Sequence, residues 1–308
     1  MNWQTVVPQP CGLGESPFWH ADEQMLYWID IPGRQIHRCN VFTGAVENWA
    51  MPSEPGSIAP ARTNGLASGL VIALRDGIYR ATQWGGSLQR LVLADHDTAT
   101  TRFNDGKADP LGRFWAGTMY EPRDAATAQL FSLDCRGGKA PVLERKAGNA
   151  TIANGLAWSP DASTVYWTNT TAHVIRAWSW DAASNQMTGE RVFMQFPGKP
   201  PGWQPGLPGY GGRPDGAAVD SQGNYWVAMF EGGRVLKLSP SGQILADIPT
   251  PAMCPTMPCF GGDDMQTLYL TTACHGRPAA ELAAMPQSGC VFSMRVDVPG
   301  LPVNFFID

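Results

Sequence analysis

The feature that most constrains this chain is a short aromatic strand that keeps returning. Leu26-Tyr27-Trp28-Ile29, Leu70-Val71-Ile72-Ala73, Arg113-Phe114-Trp115-Ala116, Val165-Tyr166-Trp167-Thr168, Asn224-Tyr225-Trp226-Val227 and Leu268-Tyr269-Leu270-Thr271 share one pattern. Aligned on Trp28, Ile72, Trp115, Trp167, Trp226 and Leu270, they stand 44, 43, 52, 59 and 44 residues apart. A period of about 40–50 residues with several short strands per unit marks a β-propeller. The two long steps read as insertions, because extra loop length costs little closure entropy. The expected fold is all-β, a six-bladed propeller forming one domain over residues 1–308.

Composition agrees. The 34 glycines and 26 prolines suit many short strands joined by turns, and the 12 tryptophans suit strands better than helices. A net charge of −5 without a basic run argues against nucleic acid and anionic membranes as partners. Met1 to Val7 lacks the basic and apolar regions of a secretory signal, and no apolar run approaches the length of a membrane span. The seven cysteines include no C-x-x-C pair and read as buried thiols of a cytoplasmic protein.

Upstream of the aligned strands lies a second regularity. Glu15 precedes Trp28 by 13 residues, Asn104 precedes Trp115 by 11, Asn154 precedes Trp167 by 13 and Asp215 precedes Trp226 by 11. Equivalent ends of innermost propeller strands converge on the central channel, so these four oxygen-bearing side chains are expected to meet there. Two carboxylates and two amides on one axis make a hard cation site. Taken singly, an Asn or Asp beside glycine is more often a turn residue. Four in register are harder to read that way. The second repeat, with Gly56-Ser57-Ile58-Ala59 at its inner end, offers no strong ligand.

Trp3 to Val7 reads as a first strand. Gly289 to Val296 and Val303 to Ile307 read as last strands that close a ring with it, removing a free sheet edge. Pro197 to Arg213, rich in proline and glycine and carrying Trp203 and Tyr210, reads as a loop over a channel mouth.

Gly14-Glu15-Ser16-Pro17, Arg102-Phe103-Asn104-Asp105-Gly106-Lys107, Gly117-Thr118-Met119, Asn154-Gly155-Leu156 and Arg213-Pro214-Asp215-Gly216 together resemble the SMP-30/gluconolactonase/LRE family. The motifs stand in the family's order and span Gly12 to Ala273. The resemblance implies a six-bladed propeller with one divalent metal at the channel mouth. It implies Glu15, Asn154 and Asp215 as metal ligands, with Asn104 as a fourth ligand or a substrate contact. It implies Arg102 and Asn104 as holders of sugar hydroxyls, with Asp105 and Glu121 as weaker substrate-binding candidates. The chain departs from the family pattern at Met229-Phe230-Glu231 and in the Pro197–Arg213 loop, which leaves the sugar open.

The expected chemistry is hydrolysis of a sugar-acid lactone, such as a glucono-, xylono- or arabinonolactone. The cation polarises the carbonyl, and Asp215 is the candidate base. Calcium is the leading metal, with zinc, magnesium, manganese and iron as alternatives. The partner is then a small sugar lactone, and the chain a monomer or weak homo-oligomer. Two rivals stand beside this reading: an esterase or organophosphate hydrolase on the same scaffold, and a calcium-binding propeller without catalysis. No G-x-S-x-G, H-E-x-x-H or G-x-x-x-x-G-K-[ST] motif is present, and the five histidines show no ligand spacing.

Overall fold

Alternation of side chains explains why these strands stack as blades. Along Tyr225–Phe230, Tyr225, Val227 and Met229 pack toward the preceding blade, while Trp226 and Ala228 pack toward the following one. A strand that is apolar on both faces needs a sheet against each. The computed structural model, which describes residues 2–308, satisfies that need six times around a ring.

The innermost strands are Gly14–His20, Pro55–Thr63, Thr101–Ala108, Ala153–Trp158, Arg213–Val219 and Pro255–Gly261. Each touches the next, and the last packs back against the first. Each is followed by the strand that carries the aligned aromatic position, and then by two outer strands of its antiparallel sheet. Six apolar clusters fill the six seams between neighbouring blades. Trp28, Trp115 and Trp167 lie within them, and emptying such a site costs about 3–5 kcal/mol. The single helix among the described residues, Ala279–Ala284, is six residues long, and no helix is long and apolar enough to cross a membrane.

The expected closure is met by the first strand. Gln4–Val7 pairs antiparallel with Val291–Arg295 and completes the sixth sheet from both ends of the chain. Val303–Ile307 behaves otherwise than expected. Only Phe306–Ile307 forms a strand, parallel to Ala61 and Arg62 on the inner edge of the second blade. Phe306 is fully buried in the seam between the second and third blades, and the Arg80 Nε lies 2.7 Å from the Asp308 carboxylate. Burial of that phenylalanine and the ion pair hold the tail at the channel instead of the ring's outer edge.

Every innermost strand is broken by a register shift near its start. The breaks fall between Glu15 and Phe18, Phe103 and Gly106, Asn154 and Ala157, and Pro214 and Ala217, with counterparts in the second and sixth blades. A bulge re-aims the side chains around it. Here it turns Glu15, Asn104, Asn154 and Asp215 off the pleat of the sheet.

Candidate active site at the channel mouth

Three of the four oxygen-bearing residues form one hydrogen-bonded chain, and the fourth, Glu15, lies near enough to feel the charge of Asp215. The Asn104 Nδ2 donates to the Asn154 Oδ1 at 2.8 Å and to the Ala153 carbonyl at 2.8 Å. In turn the Asn154 Nδ2 donates to the Asp215 Oδ1 at 2.5 Å and to the Thr170 Oγ1 at 2.8 Å. Glu15 faces them from the first blade, its Oε2 accepting only the Ser16 amide at 3.3 Å. Ser16 holds a left-handed backbone (φ 50°), fixed by its hydroxyl against the Ile58 amide and carbonyl.

Two glycines make room. A Cβ on Gly56 would lie 2.4 Å from the Phe103 carbonyl, so the second blade can hold no side chain where the chain passes toward Asn104. Gly155 sits at φ +60°, and its carbonyl accepts the Tyr225 hydroxyl at 2.6 Å. This is why the second blade contributes space where four others contribute oxygen.

Three carboxyls share this interior. Burial raises Glu15 well above the ordinary range, and the charges of Asp215 and Asp105 add to the rise. Burial pushes Asp215 up to about 8 against the pull of Arg213, with Asp105 adding to it. Asp105 is raised by burial too, opposed by Lys107. Its Oδ2 accepts the Leu156 amide at 3.0 Å, while its Oδ1 is buried without a partner. Buried carboxyls with spare lone pairs beside amide oxygens form an all-oxygen donor set, which fits a hard divalent cation.

Arg102 closes one side. Its Nη1 donates to the Asn104 Oδ1 at 2.7 Å and to the Phe103 carbonyl at 2.9 Å, and its Nη2 lies 3.2 Å from the Met119 sulfur. Burial lowers it to about 10, so it remains charged at neutral pH. Asn104 thus turns its carbonyl to Arg102 and its N–H groups to the Asn154 side chain and the Ala153 carbonyl. Glu121 stands farther out, exposed, held by Arg75 at 2.9 and 3.0 Å and 3.8 Å from the Arg102 Nε.

The loop before Arg213 is tied down at several points. The Tyr210 hydroxyl lies 2.7 Å from the His173 Nε2, Trp203 packs edge-on to Tyr210 at 5.0 Å, and the Trp203 indole donates to the Leu207 carbonyl. Glu231 gathers the Lys199 Nζ at 2.6 Å, the Arg277 Nη1 at 2.9 Å and the Arg213 Nη1 at 3.5 Å. The sequence reading named neither Thr170 nor this cluster as site residues. Thr170 follows the aromatic strand outside the shared offset, and the partners of Glu231 come from the two ends of the Pro197–Arg213 loop and from Arg277. Beyond Ser16, a cavity of about 300 Å³ is lined by the later parts of the innermost strands, with Lys107, Cys259 and Leu301 to Asn304.

Residues 13–274 match the SMP-30/Gluconolactonase/LRE-like region. The chain belongs to that family. It is 44% identical over 301 residues to the 6-deoxy-6-sulfogluconolactonase of Pseudomonas putida, covering 98% of this chain and 97% of that relative. Pentonolactonase XacC of Haloferax volcanii is 35% identical over 279 residues, covering 89% and 86% of the two chains. Among solved structures, the calcium-binding protein regucalcin of Agrobacterium tumefaciens superposes with a TM-score of 0.88 over 99% of this chain and 97% of its own. At 24% identity that last likeness speaks for the fold alone.

Proposed function

We propose that the chain hydrolyses a sugar-acid lactone to the free acid, using one divalent cation held by Glu15, Asn154 and Asp215. The observation that carries this reading is the convergence of Glu15, Asn104, Asn154 and Asp215, with Arg102 beside them. When bound, the cation would polarise the lactone carbonyl and stabilise the negative charge that develops on its oxygen. Asp215 takes a proton from the attacking water as the water oxygen bonds to the carbonyl carbon. The ring C–O bond then breaks, and a proton passes to the leaving oxygen, which becomes a free hydroxyl. Arg102 donates hydrogen bonds to the sugar hydroxyls, and Asn104 holds the guanidinium in place. The names of the two lactonase relatives support a lactone over a simple ester or a phosphotriester.

The charge at the mouth refines the substrate. Lys199, Arg213 and Arg277 share the carboxylate of Glu231, with Glu281 a further partner of Arg277, so positive charge is in local excess on a chain of net charge −5. That excess favours a lactone with an anionic group at its far end, in keeping with a sulfo-sugar relative.

Hydrolysis of aldonolactones and of phenyl acetate, each with and without chelator, tests the reading. Chelator-sensitive turnover of lactones above phenyl acetate is expected. Preference for the ester would move the chain to the esterase class, and metal binding without turnover would leave a calcium-binding propeller. A comparison of gluconolactone with its 6-phospho and 6-sulfo counterparts tests the anionic group separately.

A further inference from the structure

At the seam between the first and sixth blades, away from the four axial side chains, a sulfur, a nitrogen and a carboxylate donor converge. The Cys11 sulfur, an Asp30 carboxylate oxygen and a His37 ring nitrogen all lie within 4.8 Å of one another. The Cys11 Sγ and the His37 Nε2 are 3.9 Å apart. Tetrahedral zinc with bonds of about 2.0–2.3 Å separates its ligands by about 3.4–3.8 Å, so this pair needs only a small closure.

Each donor is steadied from behind. The His37 Nδ1 lies 2.7 Å from the Asn48 Oδ1, which can only accept, so the proton sits on Nδ1 and the Nε2 lone pair faces the thiol. Asp30 accepts the Gly12 and Leu13 amides, each at 3.0 Å. The Trp28 Nε1 donates to the Cys11 sulfur at 3.3 Å, and the Trp28 ring stacks on His37 at 5.0 Å. Outer bonds of this kind orient the ligands of metal sites. The Cys274 thiol is engaged elsewhere, donating to the Cys11 carbonyl at 3.1 Å. Asp30 and His37 are each partly exposed, which leaves a way in from solvent.

We propose that Cys11, Asp30 and His37, with a water completing the set, form a second metal site for a borderline-soft divalent cation of the zinc class. Its sulfur and nitrogen donors separate it from the oxygen-only set on the axis. The site would be structural. The Cys11 amide donates to the Gly289 carbonyl of the sixth blade, so a bound ion would fasten the segment that runs from that blade toward Glu15 onto Asp30 and His37 of the first.

Cobalt(II) titration of the full chain, with excess calcium present, tests this. A thiolate-to-cobalt charge-transfer band is expected in the wild type and absent in Cys11→Ser. In Asn48→Ala the band should survive with affinity about tenfold weaker, which a mere packing role of that residue would not produce. If Cys11→Ser fails to fold, His37→Gln takes its place, and far-ultraviolet circular dichroism of each variant checks the fold. Zinc should also raise the melting temperature of the wild type and leave that of His37→Gln unmoved. A wild type with no thiolate band at saturating cobalt, or an unchanged band in both ligand variants, overturns the site and leaves a packed cluster of thiol, imidazole and indole.

Discussion

The Asn154 amide nitrogen lies 2.5 Å from the Asp215 carboxylate, although 61 positions separate them in the chain. They come from neighbouring blades, each turned inward by a bulge at the start of its innermost strand. Removing Asp215 strips the cluster of one proposed ligand and of the candidate base together. Asp215→Ala is expected to lower lactone turnover to background and to weaken divalent binding at least tenfold, read by steady-state kinetics and calorimetric titration. Full calcium affinity in that variant would remove Asp215 from the ligand set.

Arg102 touches Asn104, the Phe103 carbonyl and the Met119 sulfur, and none of the axial carboxylates. Arg102→Ala is therefore expected to keep its metal, by elemental analysis, and to raise KM well above any fall in kcat, as for a group that binds ground and transition states alike. Loss of the metal would show that Arg102 supports the ligands instead.

Protonation gives a third prediction, with the sign set by the raised carboxyls. An acid whose folded value is raised contributes stability in full below its unfolded value and loses it as pH climbs through the folded one, because the unfolded chain gives up its proton first. For Asp215 that window runs from 3.8 to about 8, and Glu15 and Asp105 act in the same direction. The metal-free chain should melt at progressively lower temperature across it. Saturating calcium should raise the melting point more at the alkaline end, where protons no longer compete. A metal-free melting point that climbs with pH through this window would contradict the burial of these carboxyls as protonated groups.

Gly56 offers a test of how the ring shapes the site. A Cβ there meets the Phe103 carbonyl at 2.4 Å, so Gly56→Ala must push the strand that carries Arg102 and Asn104. A cost of about 1–3 kcal/mol is expected by urea unfolding, with a loss of kcat/KM beyond what the unfolded fraction explains. Stability lost with unchanged activity would mean that the strand yields without moving Asn104.

The loop before Arg213 carries a half-exposed Trp203 packed edge-on to Tyr210, with the Lys199 Nζ 5.2 Å from its ring. Trp203→Ala should shift the ratio of kcat/KM between five- and six-carbon lactones more than it shifts the melting point. An unchanged ratio with a collapsed melting point would make the loop a packing element.

Much of this was legible in one dimension. Strand alternation and the return of Trp28, Trp115, Trp167 and Trp226 are local patterns, and a repeated local pattern forces sheets that bury both faces against their neighbours. The shared offset of Glu15, Asn104, Asn154 and Asp215 survives in the sequence because each is counted from an element in its own blade. What only the tertiary structure decided is everything between blades: the Asn104–Asn154–Asp215 chain, the burial that raises three carboxyls, the cations around Glu231, and the meeting of Cys11, Asp30 and His37. Distances across seams depend on how far each bulge turns its strand and on where the ring closes. Those follow from packing between segments tens to hundreds of residues apart, which no spacing along the chain records.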